Sequence, residues 1–272
     1  MRLWEDPLPP GTQTAGFGYH DVTDDPTESG FQRDGALPFK LTPGLFREHL
    51  DRIHALLRPP ELVNEINLSR PGRHLLLTFD DGGKSALRVS AELNRRGWRA
   101  HFFIATSLIG RRTFLSANEI RHIRSCGHVV GSHSHSHPSI YRELHRDRML
   151  VEWRQSCDIL AQILGEPCLT GSVPGGEISP AVFWSAGVSG LRYLFTSEPW
   201  LAPRLVGGCW ILGRFCPKAS TTAAEIAELA RFRGWGSRLL VRRLKALARR
   251  SLPPLYRLYV GRSTREWQEQ RP

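Results

Sequence analysis

The sequence predicts one α/β domain built on parallel strands, followed by a basic helical extension. Its 272 residues are enough for a single large domain and an appendage. Short apolar runs without polar interruption alternate with helix-length segments, as in strands that helices cover on both faces. From Thr222 the composition changes, and residues 231–250 hold eight basic residues and no acid. The alternation favours a βα-barrel or a doubly wound sheet.

The N-terminal part predicts a strand, a long loop and a helix, in that order. Residues 16–20 form a short strand that ends at Tyr19-His20, and the polar, acidic residues 21–36 form a loop. A helix begins at Thr42-Pro43, a typical N-cap and first helical residue, and ends before Pro59. His20 therefore lies at a strand end.

The next strand leads directly into two adjacent carboxylates. Residues 75–79 are Leu-Leu-Leu-Thr-Phe, and Asp80, Asp81, Gly82 and Gly83 follow them. Catalytic side chains gather at the C-terminal ends of parallel strands, where glycines also allow a tight turn. Taken alone, the Asp-Asp-Gly-Gly segment favours a solvated turn, so a second motif is needed to support a site.

Alternating strand and helix patterns continue downstream. A helix over residues 85–96, a strand over 100–105 and a helix opened by the capping box Ser116–Glu119 follow one another. A long helix over 143–164 and strands over 168–173, 192–197 and 210–215 complete the pattern.

A histidine-rich segment follows the apolar stretch 128–130. His133 and His137 are four residues apart, so one helical turn would place both imidazoles on one side, where they can bind a divalent metal. His135 would join them if the segment were extended. A flexible tract without a specific role is the alternative interpretation.

These two motifs, in this order, resemble the polysaccharide deacetylase family, carbohydrate esterase family 4, which shares the nodulation-protein (NodB) deacetylase domain. The resemblance rests on Thr-Phe-Asp-Asp-Gly at residues 78–82 and His-Ser-His-Ser-His-Pro at 133–138, and it covers roughly residues 16–217. It implies an α/β fold, a deformed (β/α) barrel of about seven strands, preceded by an extension at 1–15 and followed by a basic helical region at 218–272.

The family pattern also implies roles for individual residues. Asp80 matches the catalytic base, while Asp81, His133 and His137 match the ligands of a divalent metal, which we expect to be zinc. Tyr-His pairs near the start of many members imply a place near the active site for His20.

The third motif departs from the family pattern at residues 172–176, Ser-Val-Pro-Gly-Gly. Ser172 replaces the arginine that orients the base, and Gly175 replaces an aromatic residue whose backbone N–H helps to hold the oxyanion. Because a backbone donor survives any side-chain change, Gly175 can still serve. We expect Arg214 to pair with Asp80 in place of Ser172. No histidine follows His145, so the family's general acid is absent, and His20 or a metal-held water is the candidate replacement.

Charge and cysteine content indicate the class of partner and the cellular compartment. The formal net charge is +11, which indicates an anionic partner or surface. Five cysteines without a Cys-x-x-Cys pair favour a reducing compartment. The first ten residues lack the apolar core of a leader, and no segment approaches transmembrane length. We therefore expect a cytoplasmic protein, peripheral to the inner membrane face at most, and exported only if a leader precedes this start.

The basic C-terminal region has an apolar stripe from Leu239 to Ala248. Such a helix can cover the barrel with its apolar face, lie on an anionic membrane surface, or bind another anion. Nucleic acid is the least favoured partner, because no recognisable binding motif accompanies the charge.

The resulting functional hypothesis is a metal-dependent deacetylase that removes N-acetyl groups from an N-acetylhexosamine-containing polysaccharide or lipid-linked saccharide. Residue chemistry alone supports only metal-dependent hydrolysis of an amide or ester. Three alternatives stay open: an O-acetyl esterase, a non-catalytic carbohydrate-binding or assembly protein, and a hydrolase of a small amide.

Overall fold

The computed structural model describes residues 11–251 and 253–266 and contains one large sheet flanked by helices. Within those residues the strands are β1 (Thr12–Tyr19), β2 (Asp21–Val22), β3 (Lys40–Leu41), β4 (Gly72–Phe79), β5 (His101–Ile104), β6 (Val129–Ser132), β7 (Thr170–Ser172), β8 (Tyr193–Phe195), β9 (Arg204–Val206), β10 (Cys209–Leu212) and β11 (Arg214–Phe215). The large sheet has the order β11-β1-β4-β5-β6-β7-β8-β10-β9, and β2 and β3 form a separate ribbon. Among the strands of the described residues, only β9 runs antiparallel to its neighbour in the large sheet.

The predicted α/β fold with parallel strands is confirmed, although the sheet has nine strands within the described residues rather than about seven. The strand predicted over residues 210–215 is divided at Gly213. Its first half, β10, pairs with β8, and its second half, β11, pairs with β1. A Cβ atom at Gly213 would lie 2.2 Å from the carbonyl oxygen of Trp200, so the chain makes this close approach with glycine. The two ends of the parallel sheet are thereby joined through one residue, which gives a deformed barrel.

Helices cover the sheet between successive strands. They are α1 (Pro43–His54), α2 (Ala86–Arg95), α3 (Ala117–Ser125), α4 (Arg146–Leu164), α5 (Pro180–Val188), α6 (Ala223–Ala230), α7 (Trp235–Ser251) and α8 (Pro253–Ser263). The Thr42 hydroxyl caps α1, and Ser116 and Glu119 form the predicted capping box of α3. Helix α4 begins three residues later than predicted, because residues Tyr141–Glu143 form a 3-10 turn.

The core lies between the central strands and the helices that cover them. Strand β4 buries Leu75, Leu77 and Phe79, and the ring of Phe79 stacks on that of Phe102 with 5.0 Å between centroids. Burial on both faces explains why these strands are uninterrupted apolar runs. Within the described residues, no helix has both the length and the apolar character that crossing a bilayer requires.

The first strand begins before the predicted start of the barrel domain, and the helical region after the barrel packs against it. Strand β1 begins at Thr12, four residues before the predicted domain start at residue 16, because its first residues pair with β4. Residues 1–10 of the predicted N-terminal extension and residues 267–272 of the predicted C-terminal region lie outside the described residues. Helix α7 packs on the body through buried Trp235 and partly buried Leu239.

Candidate active site

Asp80 and Asp81 follow β4 at the C-terminal edge of the sheet. The Asp80 N–H donates to the Tyr19 carbonyl oxygen at 2.9 Å, which continues the pairing with β1. The chain then turns sharply, because Asp81 and Gly82 both have positive φ values, 73° and 81°. Aspartate tolerates this left-handed conformation better than most residues. The turn separates the two carboxylates, so that each meets a different set of partners.

Asp80 is fully paired with a buried guanidinium. Arg214 donates to Asp80 Oδ1 through Nη1 and to Oδ2 through Nη2, each at 2.8 Å, and its side chain is inaccessible to solvent. Burial opposes ionisation of Asp80, but the charges of Arg214 and His133 outweigh it and lower its pKa below the ordinary value. Asp80 is therefore a carboxylate at neutral pH.

The buried Arg214 guanidinium makes hydrogen bonds to several strands. Arg214 also donates to the Thr78 hydroxyl at 2.6 Å, the Ser172 hydroxyl at 2.6 Å and the Thr196 carbonyl oxygen at 2.9 Å. Two glycines of β1 leave space for it: a Cβ atom at Gly16 would lie 3.0 Å from Arg214 Cγ, and one at Gly18 would lie 3.2 Å from Cζ. Arg214 thus contacts both Asp80 and the Ser172 hydroxyl, and it pairs with Asp80 as expected.

Asp81 faces two histidines instead of a cation. Its Oδ1 atom lies 3.3 Å from His133 Nε2 and 3.4 Å from His137 Nε2. All three side chains are buried, yet Asp81 Oδ1 has no hydrogen-bond partner among the described residues. An unpaired, buried carboxylate oxygen is costly unless a ligand completes it.

The loop after β6 brings the two histidines together without a helix. Ser134 and His137 both have positive φ values, and the Ser134 hydroxyl accepts a hydrogen bond from the His137 N–H at 3.1 Å. His133 Nδ1 donates to the Ser172 carbonyl oxygen at 2.9 Å, which turns Nε2 towards Asp81. His135 lies apart from the cluster and hydrogen-bonds the Thr106 hydroxyl. His133 and His137 are therefore neighbours because the loop turns sharply between them, and not because they lie on one turn of a helix.

The Asp81, His133 and His137 cluster fits a divalent metal. Ligand atoms bound at about 2.1 Å to a tetrahedral zinc ion are about 3.4 Å apart. Both Oδ1–Nε2 distances match that value, and the three ligand atoms lie within 4.8 Å of one another. Burial opposes ionisation of Asp81, but the His133 and His137 rings hold its pKa well below the ordinary value. An anionic carboxylate with two imidazole nitrogens is a typical catalytic zinc ligand set.

A cavity of about 970 Å³ opens beside Asp80. Gly175, in the turn Pro174–Gly176 after β7, and His20, after β1, both line it together with Arg214. The His20 Nδ1 atom has no hydrogen-bond partner within the described part of the chain. The structure thus brings all seven predicted site residues together. Six of them follow the ends of β1, β4, β6 and β7, and Arg214 is the first residue of β11.

The C-terminal helices supply part of the cavity wall, which the sequence analysis did not anticipate. Arg238, Val241 and Arg242 of α7 and Tyr256 and Tyr259 of α8 line the cavity. The sequence pattern predicted a basic amphipathic helical region at 218–272, but it gave no sign that this region lies beside the cavity. The glycine pair on β1 is the signal that could have identified the Arg214 position, since two glycines on one strand face leave room for a large neighbour.

Comparison with known proteins agrees with this geometry. The sequence profile of the family described as polysaccharide deacetylase matches residues 67–194. That range includes Asp80, Asp81, His133, His137 and Gly175. A comparison with curated proteins gives no match.

Solved structures share the fold. A Streptococcus pyogenes deacetylase, PplD, solved in complex with acetate, superposes with a TM-score of 0.69 and 17% identity, over 81% of this chain and 99% of that one. IcaB from Ammonifex degensii has a TM-score of 0.68 and 20% identity, over 81% of this chain and 98% of its own. A de-N-acetylase from Aggregatibacter actinomycetemcomitans has a TM-score of 0.66 and 15% identity, over 80% and 99% of the two chains. Residues 67–194, just under half of the chain, therefore resemble the polysaccharide deacetylase family, whose members hydrolyse amide and ester bonds in carbohydrates.

Proposed function

We propose that this protein removes N-acetyl groups from an N-acetylhexosamine-containing polysaccharide or lipid-linked saccharide, and that it depends on a divalent metal. The observation that carries the proposal is the contrast between two adjacent carboxylates. Asp80 is ionised and held by a bidentate arginine, while Asp81 turns an unpaired oxygen towards two imidazoles. A hydrolase needs one carboxylate as base and another as ligand, and this arrangement supplies both.

A divalent metal held by Asp81, His133 and His137 would polarise the acetyl carbonyl and lower the pKa of the attacking water. Asp80 accepts the proton of that water, because its carboxylate is ionised and Arg214 fixes its orientation. Arg214 is a positioning residue: its other partners, Thr78, Ser172 and the Thr196 carbonyl oxygen, lie on or at the ends of three different strands. The guanidinium therefore cannot follow Asp80 away from the sheet edge.

The remaining groups act on the acetamide. The Gly175 N–H donates to the developing oxyanion, since its turn borders the cavity next to Asp80. Water adds its hydroxyl to the carbonyl carbon, the carbon–nitrogen bond breaks, and acetate and a free amine leave. We assign the protonation of that amine to His20, which lines the same cavity and has a ring nitrogen without a hydrogen-bond partner in the described structure.

Acetate release from N-acetylglucosamine oligomers tests the proposal. Zinc-loaded wild type should release acetate, and the Asp80→Asn and His133→Ala variants should lose at least about a hundredfold of the rate. His135→Ala is the matched control, because this neighbouring histidine lies outside the cluster and contacts Thr106. It should retain most of the wild-type rate.

Two outcomes would decide against this function. Release of acetate only from O-acetylated oligomers would make the protein an esterase. A folded, zinc-bound wild type that releases acetate from neither N-acetylated nor O-acetylated oligomers would instead indicate a binding protein or a hydrolase of another amide.

A further inference from the structure

We propose that α7 and α8 dock this protein on the surface of an anionic lipid bilayer, with the cavity mouth facing the lipid. This inference rests on the proposed function, to which it adds that the acetylated saccharide is presented at a lipid surface. The two helices combine a positive charge with exposed apolar side chains, and both features lie beside the cavity.

The net positive charge of the chain is concentrated in this segment. Of the 37 lysines and arginines, eleven lie in residues 231–265, which hold no acid. The other 26 equal the 26 acids of the whole chain, so the remaining residues carry no net charge. Arg243, Arg257 and Arg262 are exposed. A local excess of this kind attracts the anionic headgroups of a bilayer.

Large apolar side chains are exposed on the same two helices. Leu240, Val241 and Leu244 of α7 are 59%, 50% and 59% exposed, and their spacing places them on one face of the helix. Leu258 and Tyr259 of α8 are 66% and 67% exposed. We call these five residues the apolar C-terminal face. An exposed apolar face beside basic residues is typical of helices that lie in the membrane interface.

The apolar C-terminal face borders the cavity. Val241 and Tyr259 belong to the face and also line the cavity, while Leu240, Leu244 and Leu258 are their neighbours along the two helices. Docking through this face would therefore place the cavity mouth at the lipid surface. A saccharide attached to a lipid headgroup could then reach Asp80 without leaving the bilayer.

Contacts with the body fix the orientation of the two helices. Arg242 of α7 donates to Glu198 at 2.8 Å and to the Gly176 carbonyl oxygen at 3.1 Å. In α8, Tyr256 hydrogen-bonds Glu177, and Arg257 donates to Glu143 at 3.2 Å. These anchors come from the sides of the helices that face the barrel, so the apolar residues are held outward at a defined angle to the cavity.

Charge and surface chemistry favour a bilayer over other occupants. A second copy of this chain would bring eleven further positive charges to the same face, which repel each other. A nucleic acid would satisfy the arginines but would leave three leucines and a valine in water. An anionic bilayer accepts both groups at once, and tyrosine is common at the membrane interface.

Vesicle flotation with the full-length, zinc-loaded protein tests the proposal. Wild type should float with vesicles of equal parts phosphatidylglycerol and phosphatidylcholine, and should stay in solution with phosphatidylcholine alone. Binding should weaken at 1 M salt, where the screening length falls from about 10 Å to about 3 Å. Neutralising Arg243 as Arg243→Gln should weaken binding about fivefold.

A double variant tests the apolar contribution. Leu240→Glu with Leu244→Glu should lower the vesicle partition coefficient by more than about tenfold. The matched control is Val151→Glu with Val188→Glu, which changes two similarly exposed residues of α4 and α5 (44% and 48%) and should bind as wild type does. Circular dichroism of each variant checks that the fold is kept.

The assay contains no substrate, so its result is separate from the proposed hydrolysis. Asp80→Asn protein should float as wild type does, even though it releases no acetate. No flotation of folded wild type with anionic vesicles would overturn the proposal, and so would equal flotation of the Leu240→Glu, Leu244→Glu variant. A wild-type dimer that this variant dissociates, without vesicle binding, would assign the face to a second copy.

Discussion

Asp80 and Asp81 are neighbours in sequence, yet their environments differ completely. Both oxygens of Asp80 accept hydrogen bonds from Arg214, and Ser172 adds another at 3.2 Å. In Asp81, Oδ1 has no hydrogen-bond partner in the described structure and faces two imidazoles. The left-handed turn at Asp81 is what sends the two carboxylates in different directions.

The difference indicates which part of the site the chain completes by itself. The Asp80 half is an ion pair whose hydrogen bonds are all supplied by protein groups, so it is rigid before any ligand binds. The Asp81 half has its candidate ligand atoms in place, but Oδ1 lacks a hydrogen-bond partner in the described structure, so a bound cation would stabilise it. The same strand end therefore provides one carboxylate that protein groups complete and one that a ligand would complete.

Breaking the Asp80 half should have the largest effect. Arg214→Met leaves a buried carboxylate unpaired and should lower the free energy of unfolding by about 3–5 kcal/mol, as well as abolish acetate release. Chemical denaturation measures this loss. The double variant Arg214→Met, Asp80→Asn should recover much of it, because the unpaired charge is then gone.

The control for this prediction is an exposed ion pair of similar geometry. Arg99 contacts Glu65 at 2.6 Å, and both side chains are nearly half exposed. Arg99→Met should cost less than about 1 kcal/mol. If Arg214→Met is no more destabilising than Arg99→Met, the buried pair does not stabilise the sheet edge as argued.

Zinc should stabilise the protein through the Asp81 half. Substitutions of Asp80 and of Asp81 should therefore differ in their effect on the zinc-induced gain in stability. Zinc at about one hundred times its dissociation constant should raise the free energy of unfolding by about 2.7 kcal/mol, and a chelator should reverse the gain. Asp81→Asn keeps a residue that tolerates the positive φ but loses the anionic ligand, so the gain should vanish. Thermal denaturation with zinc or with chelator measures both.

Asp80→Asn is the matched control for the metal experiment. It changes the adjacent residue in the same way but leaves Asp81, His133 and His137 in place, so most of the zinc-induced gain should persist. Equal loss of the gain in both variants would show that the two carboxylates form one centre rather than two.

Filling the space around Arg214 should impair the Asp80 half of the site but not the binding of zinc to the Asp81 half. In Gly16→Ala, the new Cβ atom would lie 2.7 Å from the Gly213 carbonyl oxygen and 3.0 Å from Arg214 Cγ. The backbone must shift, which should cost about 1–3 kcal/mol and reduce acetate release, while zinc still stabilises the protein. Denaturation with and without zinc measures both parts.

Gly236→Ala provides the comparison, since its Cβ atom would meet no other atom within 4 Å. Alanine there should leave stability unchanged or slightly raised. A Gly16→Ala variant that behaves like Gly236→Ala would mean that Arg214 moves aside without strain.

Local sequence patterns predicted the two carboxylates and the two histidines, because each motif lies within a few residues of one strand end. The parallel sheet and most helix limits followed from periodicity and capping residues such as Ser116. What the patterns could not place depends on contacts across the chain. Arg214 and Asp80 are 134 positions apart, so their pairing was expected only from the family resemblance and the altered third motif.

Other features were missed for the same reason. The division of the last strand at Gly213 depends on Trp200, and the turn that brings His137 to His133 depends on Ser134 and on Glu152, which accepts hydrogen bonds from the loop N–H groups. The packing of α7 and α8 beside the cavity is set by acids in distant loops. An amphipathic pattern defines a helix and its apolar face, but not the surface against which the helix packs.

The smallest effect should come from Ser172, which contacts both halves of the site. Its hydroxyl hydrogen-bonds Arg214 and Asp80, whereas its carbonyl oxygen accepts from His133. Ser172→Ala removes only the hydroxyl, so it should cost about 1 kcal/mol and slow acetate release by less than about tenfold. Ser90→Ala, which removes a buried hydroxyl without a hydrogen-bond partner in the described chain, should cost less.

The zinc-induced gain should be unchanged in Ser172→Ala, because the backbone acceptor of His133 remains. Loss of the zinc-induced gain would mean that the Asp80 half holds the Asp81 half in place through Ser172. The two aspartates would then not be independent.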